Sequence, residues 1–585
     1  MTRRRGLPAV VAALLGLVSC QGRRVPPPPP AVVGPAAIPD SQPAVDAPLF
    51  VGQNAFAAPL ATQAHYTPAL ATARADGGNS GVTDGPAPLG RGPVTGSAAL
   101  TLRPPLLWDS SGDLTAGCHV QLAAGLGADC LAAVTASSLT VQARWLPPGQ
   151  DLNLATAVVD ASERIIVTSR QGHLFVVSRP DTGGSGFDVL RDVDLSGHLA
   201  PGQGLLAAIP DDSGNLWFVT GGPPAPAGSA ATGGSTVGYV RVDNQVVTTT
   251  LAGQTTETGF AVDQDTVYLA TAPAGTGASG SVYALTASAG QLQTVWREAY
   301  DAGTAGKPGA LTRGTAASVV LLGSQYLALT DNADDQAHLL VFFRGVQPPA
   351  RSAPTTSTTA TGAGATTTGP VAATTTTTTA PGATTTTAAT TTTTGPPATT
   401  GTVPPAALGT PADPRLACRV PLFAPGASAV ESAVIGYSSG TTNSVIVANG
   451  FDAPPPLADP SNGGPDNSID GMAPGVSRVD VAPDGSGCQT VWTAPLRLKS
   501  SPVLAGATGL VYGYTQDESR ASNGTYIWYF VAVDYRNGRV VWQQRAGAGS
   551  TKNDNRQPMI LGPNGVLYQT VPLGLVWMRD VANRP

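Results

Sequence analysis

The feature that most constrains this chain is a unit of four short apolar strands that recurs along it. The clearest copy is SPVLAGATGLVYGYTQDESRASNGTYIWYFVAVDYRNGRVVWQQ, residues 501–544, and a second is TGFAVDQDTVYLATAPAGTGASGSVYALTASAGQLQTVWRE, residues 258–298. They align position by position. Leu510-Val511-Tyr512 matches Thr266-Val267-Tyr268, Phe530-Val531-Ala532-Val533 matches Val282-Tyr283-Ala284-Leu285, and Val540-Val541-Trp542 matches Thr294-Val295-Trp296. Runs rich in β-branched and aromatic residues, separated by Gly, Asn and Asp, read as strands joined by turns. Asn537-Gly538 reads as the hairpin turn between the third and fourth strands of the clearest copy.

Weaker copies fill 155–193, 205–248 and 428–492. Another starts at Gly309, breaks into a Thr-rich run, and finds its last strand at 417–423. The final copy, 556–580, has three strands, and a spare strand, 138–148, carries Trp145 where other copies carry Trp296, Trp492 and Trp542. Four strands every ~45–55 residues is the arithmetic of an all-β β-propeller. A four-stranded sheet has two faces to bury, and a ring of sheets covers both faces of every blade. Counting fourth strands predicts seven blades, with six or eight as alternatives because 428–497 is degenerate. The N-terminal strand at 138–148 is expected to complete the last blade and leave no open sheet edge. Trp145, Trp296, Trp492 and Trp542 are read as blade-packing residues. A β-sandwich would explain the alternation, but neither the recurring Trp nor the split last copy.

Val282-Tyr283-Ala284-Leu285, Gly290 and Val295-Trp296, with Phe530-Val531-Ala532-Val533-Asp534, Asn537-Gly538 and Val541-Trp542, resemble the repeat of PQQ-like propellers, the quinoprotein alcohol dehydrogenase-like superfamily. The resemblance spans about 140–580 in scattered copies. It implies the fold. It leaves activity open, because that superfamily holds quinone-dependent dehydrogenases and also non-catalytic members such as the outer-membrane assembly lipoprotein. The dehydrogenases are known for two adjacent cysteines near the quinone and for carboxylate and Asn ligands to calcium. This chain has no Cys-Cys pair and no Cys-x-x-Cys-His haem motif. The expectation is a non-catalytic member with no cofactor.

The N-terminus, MTRRRGLPAVVAALLGLVSCQG, has a basic start and an apolar run too short to span a bilayer. Leu17-Val18-Ser19-Cys20 resembles the lipobox of bacterial lipoproteins, which implies a signal peptide at 1–19 and lipidation of Cys20. The chain would then be held at the extracytoplasmic side of a cell-envelope membrane. Residues 20–98 read as a Pro/Ala-rich disordered tether, 99–137 as a small extension, and 138–585 as the propeller. Two interruptions, 347–412 and 452–475, read as disordered. Charge is low, net −6, with no basic patch, so a nucleic-acid partner is excluded.

With Cys20 lipidated, four cysteines remain in an oxidising compartment. Cys118 and Cys130 pair across the extension, and Cys418 and Cys488 pair across successive blades or across loops; four free thiols are the alternative. The clusters DDSGN (211–215), DNADD (331–335) and DPSNGGPDNSID (459–470) offer oxygen ligands but fit tight turns better. No metal site is assigned. His173 and His338 start third strands, and His119 adjoins Cys118, without a partner at a convincing interval. The functional expectation is a lipid-anchored binding or scaffold module for an envelope protein or glycan. An envelope enzyme acting on a glycan or small molecule at the axial pocket is the alternative.

Overall fold

The computed structural model describes residues 36–42, 45–63, 76–122, 127–179, 186–221, 234–275, 277–315, 317–345, 414–457 and 464–581. These form eight antiparallel sheets, each the blade of a propeller. Blade 1 runs from Leu102–Trp108 to Thr140–Trp145, blade 2 from Leu152–Val159 to Asp188–Asp194, and blade 3 from Gly204–Pro210 to Val246–Leu251. Blade 4 runs from Ala261–Asp263 to Gln291–Asp301, blade 5 from Val320–Leu322 to Leu416–Pro421, and blade 6 from Ile435–Ser439 to Cys488–Ala494. Blade 7 runs from Val503–Ala505 to Val540–Ala548. Blade 8 has Met559–Leu561, Leu567–Val571 and Gly574–Asp580 from the C-terminal end, and its outer strand is Pro93–Ala99.

Closure by an N-terminal strand holds in kind, but the strand is Pro93–Ala99 and not 138–148. Thr140–Trp145 is instead the fourth strand of its own blade, and residues 99–137 supply that blade's first three strands. This adds the eighth blade to the seven counted. The reason is local. The sequence PVTGSAA has no apolar run, yet its Gly96 lies under the Trp577 ring, where any Cβ would collide. The inner strand Leu102–Trp108 hides its period behind a bulge at Arg103/Leu106 that accommodates Pro104 and Pro105.

The tryptophans show how the blades are stapled. Trp492 on the outer strand of blade 6 donates Nε1–H to Tyr535 O of blade 7 (2.8 Å) and lies against Gly538, whose φ of +72° a glycine adopts without strain. Trp296 of blade 4 donates likewise to Arg344 O of blade 5 (3.1 Å). Trp145 meets Phe175 of blade 2 edge-on at 5.3 Å. Trp542 is fully buried with Met559, Leu561 and Met578 of blade 8. Each ring thus covers the next sheet, a large apolar area joined by one polar anchor where the indole N–H is paired.

Cys118–Cys130 ties the second and third strands of blade 1, and Cys418–Cys488 ties the outer strands of blades 5 and 6. Much of the stretch expected to be a loose tether is ordered. Phe50–Gly52 adds an outer strand to blade 7, and Val82–Thr83 adds a parallel inner one. The Asp580 carboxylate accepts the N–H groups of Leu89, Gly90 and Arg91 at 2.7–3.0 Å. The loop expected to be disordered at 452–475 packs its described parts, 452–457 and 464–475, with Ile469 and Met472 buried between blades 7 and 8. The signal segment, Cys20 and the insertion 347–412 lie outside the described residues. No helix among the described residues is long and apolar enough to cross a membrane.

Candidate functional site

A propeller has two ends. On the turn face, first strands meet second strands and third meet fourth. On the loop face, second strands pass to third and each blade hands over to the next. Inner strands start at the loop face, and their first residues ring the axis. Here they line a cavity of about 1260 Å³ that includes Pro104 and Pro105 of blade 1, Thr156 of blade 2, Phe260 of blade 4, Ser318 of blade 5 and Ser501 of blade 7.

The N-terminal strand segment 76–83 forms the floor of this cavity. It runs across the inner strands of four consecutive blades. Gly77 O, Gly78 O, Ser80 O and Gly81 O accept the N–H groups of Val262, Leu321, Gly436 and Leu504 at 2.7–3.0 Å. Asn79, in the left-handed region at φ +56°, donates its amide to Phe260 O and Val319 O and also faces the cavity. Inner strands normally leave N–H groups facing an open channel. The strap pairs four of them, on blades 4 to 7, and contributes Asn79 to the lining of the well. On the opposite side, bulges in blades 1 and 2 bring residues 104–105 and 154–157 into the lining. The amide of Asn153 and the hydroxyl of Thr156 secure this fill by donating to Leu206 O at 2.7 and 2.6 Å.

Half of the well's mouth is bolted. Arg556, on the handover from blade 7 to blade 8, donates to Gly309 O, Ala453 O and Pro454 O at 2.6–3.0 Å, joining three loops. Beside it, Glu431 accepts Leu311 N–H (2.9 Å), and Glu257 accepts Arg313 and Gly314 N–H (2.8–3.2 Å). Burial pushes both carboxyls above the usual range, Glu431 to about 7. A fully buried pair, Lys499 with Asp554 at 3.0 Å, braces the same handover; burial lowers the lysine's pKa.

The other half of the mouth carries a polar cluster on blade 1. His119 Nδ1 lies 2.8 Å from Asp129 Oδ1, which also accepts from Arg103 at 3.1 Å. Asp129 N–H donates to Asp151, whose carboxylate is held by Arg170 (2.9 Å). His119, Arg103, Asp129 and Arg170 all face the well. The Cys118–Cys130 bridge sits one residue back on both strands and fixes the register of the His119–Asp129 pair. A sequence interval cannot reveal this partnership, because it is made across a hairpin of unknown register. The adjacency of His119 to Cys118 and of Asp129 to Cys130 was the one signal.

His173 and His338 reach the loop face but do not line the well. They pair with Asp192 (2.8 Å) and Asp331 (3.0 Å). The acidic turns behave as turns: Asp211 accepts Asn215 N–H and Trp217 Nε1–H. Among the described residues, no three His, Cys, Asp or Glu side chains converge as metal ligands.

No protein-family model and no curated protein matches the chain. Among solved structures, it is similar to a europium-containing methanol dehydrogenase at 12% identity, covering 86% of this chain and 90% of that one with a TM-score of 0.44. It is similar to a quinohemoprotein alcohol dehydrogenase from Pseudomonas putida at 11% identity, covering 88% and 81%, TM-score 0.46. It is also similar to the WD40 domain of SCAP from fission yeast at 8% identity, covering 82% and 94%, TM-score 0.39. At these identities the chain is assigned to no family; the propeller rests on the order of its own sheets.

Proposed function

We propose that this chain is a lipid-anchored, extracytoplasmic propeller that binds an envelope protein or glycan over its loop face without transforming it. The observation that carries this reading is the axial well. Its lining reaches the loop face through Thr101, His119 and Gln121, which makes that face a side where a ligand can be admitted. Concave, preformed sites of this kind are where propellers and other scaffolds bind. The polar groups of the lining support binding over turnover. Asn79, Asn153, Arg556 and Asp129 are each committed to structural hydrogen bonds. The lipobox-like Leu17-Val18-Ser19-Cys20 supports the anchor, and the missing Cys-Cys pair and haem motif argue against a quinone enzyme.

One observation favours the enzyme reading as the second choice. The His119–Asp129 pair is a base with its orienting carboxylate, placed in the wall of the well. A photo-cross-linking residue at Gln121, on the mouth, and another at Ser213, on the turn face, test the first reading in living cells. An envelope component captured from position 121 and not from 213 is the expected result. Equal capture at both positions, or none at 121, refutes it. If the captured component is chemically altered in the parent protein but intact with His119→Gln, the enzyme reading replaces it.

A further inference from the structure

The walls of the well have a chemistry that a partner protein on the loop face does not use. They are mostly apolar: Leu100, Val158 and Leu573 are part-exposed in the lining, backed by the buried Leu102, Leu154 and Met559. Neither Trp nor Tyr contributes, and Phe260 is the one aromatic ring besides His119, so a broad stacking platform of the kind sugars and bases favour is missing from the lining. At about 1260 Å³ the space exceeds the ~300–1,000 Å³ of an ordinary small-molecule pocket.

Three guanidinium groups, Arg103, Arg170 and Arg556, line the well with one carboxylate, Asp129; the carboxylates of Asp151 and Glu431 stand beside Arg170 and Arg556. Arg103 and Arg170 are more than half exposed, and each is held in place by one aspartate. A guanidinium has five N–H donors, so both keep donors for a phosphate. Exposed leucines stand on the same face: Leu122, Leu311 and Leu573, each about 45% exposed.

The route of the chain supplies the source of the ligand. Ala36 O accepts Ala99 N–H, and the next residue, Leu100, donates to Leu573 O on the rim of the well. The described chain therefore begins at the loop face, beside the mouth. Between Cys20 and Ala36 lie fifteen residues, 21–35, six of them proline. An anchor at Cys20 would attach to the chain on the side where the mouth opens.

We infer that the axial well takes an acyl chain of an anionic phospholipid, with the phosphate held by Arg103 and Arg170. This goes beyond the partner reading above and rests on the proposed anchor only for the source of the lipid. The driving force is burial of the chain's methylenes, each contributing ~0.8 kcal/mol, and the two arginines select the headgroup.

The test uses the full mature chain with Cys20→Ser, so that no acyl group of its own competes. It is incubated with phosphatidylglycerol or phosphatidylcholine vesicles, re-isolated by gel filtration, and its bound lipid is counted by native mass spectrometry. One phosphatidylglycerol per chain is expected, with phosphatidylcholine retained about tenfold less, as losing the charged contacts implies. Leu573→Asp, at a half-exposed rim position, should lower occupancy at least about tenfold while leaving the melting temperature unchanged. Arg103→Gln with Arg170→Gln should erase the headgroup preference. Absence of retained phosphatidylglycerol, equal retention by Leu573→Asp, or no preference in the parent protein overturns the inference. Capture of a protein or glycan at position 121 without retained lipid removes this inference alone; retained lipid without capture removes only the partner reading.

Discussion

Asn79 is the residue through which the floor of the well can be loosened without touching the rest of the ring. Its amide makes two neutral hydrogen bonds, 3.3 Å to Phe260 O and 3.0 Å to Val319 O. Each contributes ~0.5–1.5 kcal/mol net, so Asn79→Gly should weaken the seating of the strap by about 1–3 kcal/mol. Asn79→Ala loses the same bonds and must also hold a Cβ at φ +56°, which adds about 1 kcal/mol. The direct readout is native-state hydrogen exchange of Val262, Leu321, Gly436 and Leu504, whose N–H groups the strap covers. When the strap opens before the blades do, their protection reports its local stability. Protection at these four amides should fall about 5- to 150-fold with glycine and about fivefold further with alanine, since 1.4 kcal/mol is a factor of ten. The outer strand of blade 6, Cys488–Ala494, should keep its protection in both variants. Unchanged protection at the four amides, or a smaller loss with alanine than with glycine, would refute the seating of the strap in the channel.

Three further outcomes are expected. Lys499→Met leaves the fully buried Asp554 carboxylate without its cation, at about 3–5 kcal/mol in urea unfolding, and adding Asp554→Leu should recover most of that loss. Glu431 titrates near 7 in the folded chain against an ordinary 4.5, so the native state holds a proton that the unfolded state has released between those values. Stability should therefore fall as pH rises from about 4.5 to 7, by at most about 3 kcal/mol, and Glu431→Gln should flatten that slope in pH-dependent urea titrations. The Cys418–Cys488 bridge closes 70 residues and Cys118–Cys130 closes 12. By chain entropy, alanine pairs at the two sites should cost about 4.5 and 3 kcal/mol respectively; the reverse order in calorimetry would show that the loop-closure account fails here.

The amino-acid sequence by itself determined the repeated element and its ruler. Strand periodicity and turn residues are local properties. The recurring Val-Tyr-Ala-Leu and Val-Trp segments therefore placed the strands of blades 4 and 7 and the tryptophans that staple consecutive blades. Ring closure by an N-terminal strand followed from the incomplete last copy, since an unpaired edge must find a partner. Which strand it would be did not follow. Pro93–Ala99 is made of small residues that would form no strand alone; it becomes one because Gly574–Asp580 offers seven residues to pair with and Trp577 needs a glycine beneath it. The ordered tether is similar. Ile38, Ala55 and Val82 are isolated apolar residues without a period, and backbone hydrogen bonds to the ring hold the segments that carry them. Such bonds use groups every residue has, so composition cannot announce them. The well belongs wholly to the tertiary structure. Its floor joins residues 76–83 to blades 4–7, and its His119–Asp129 pair depends on the register of a hairpin; distance along a sequence does not encode which backbone groups are left facing the axis.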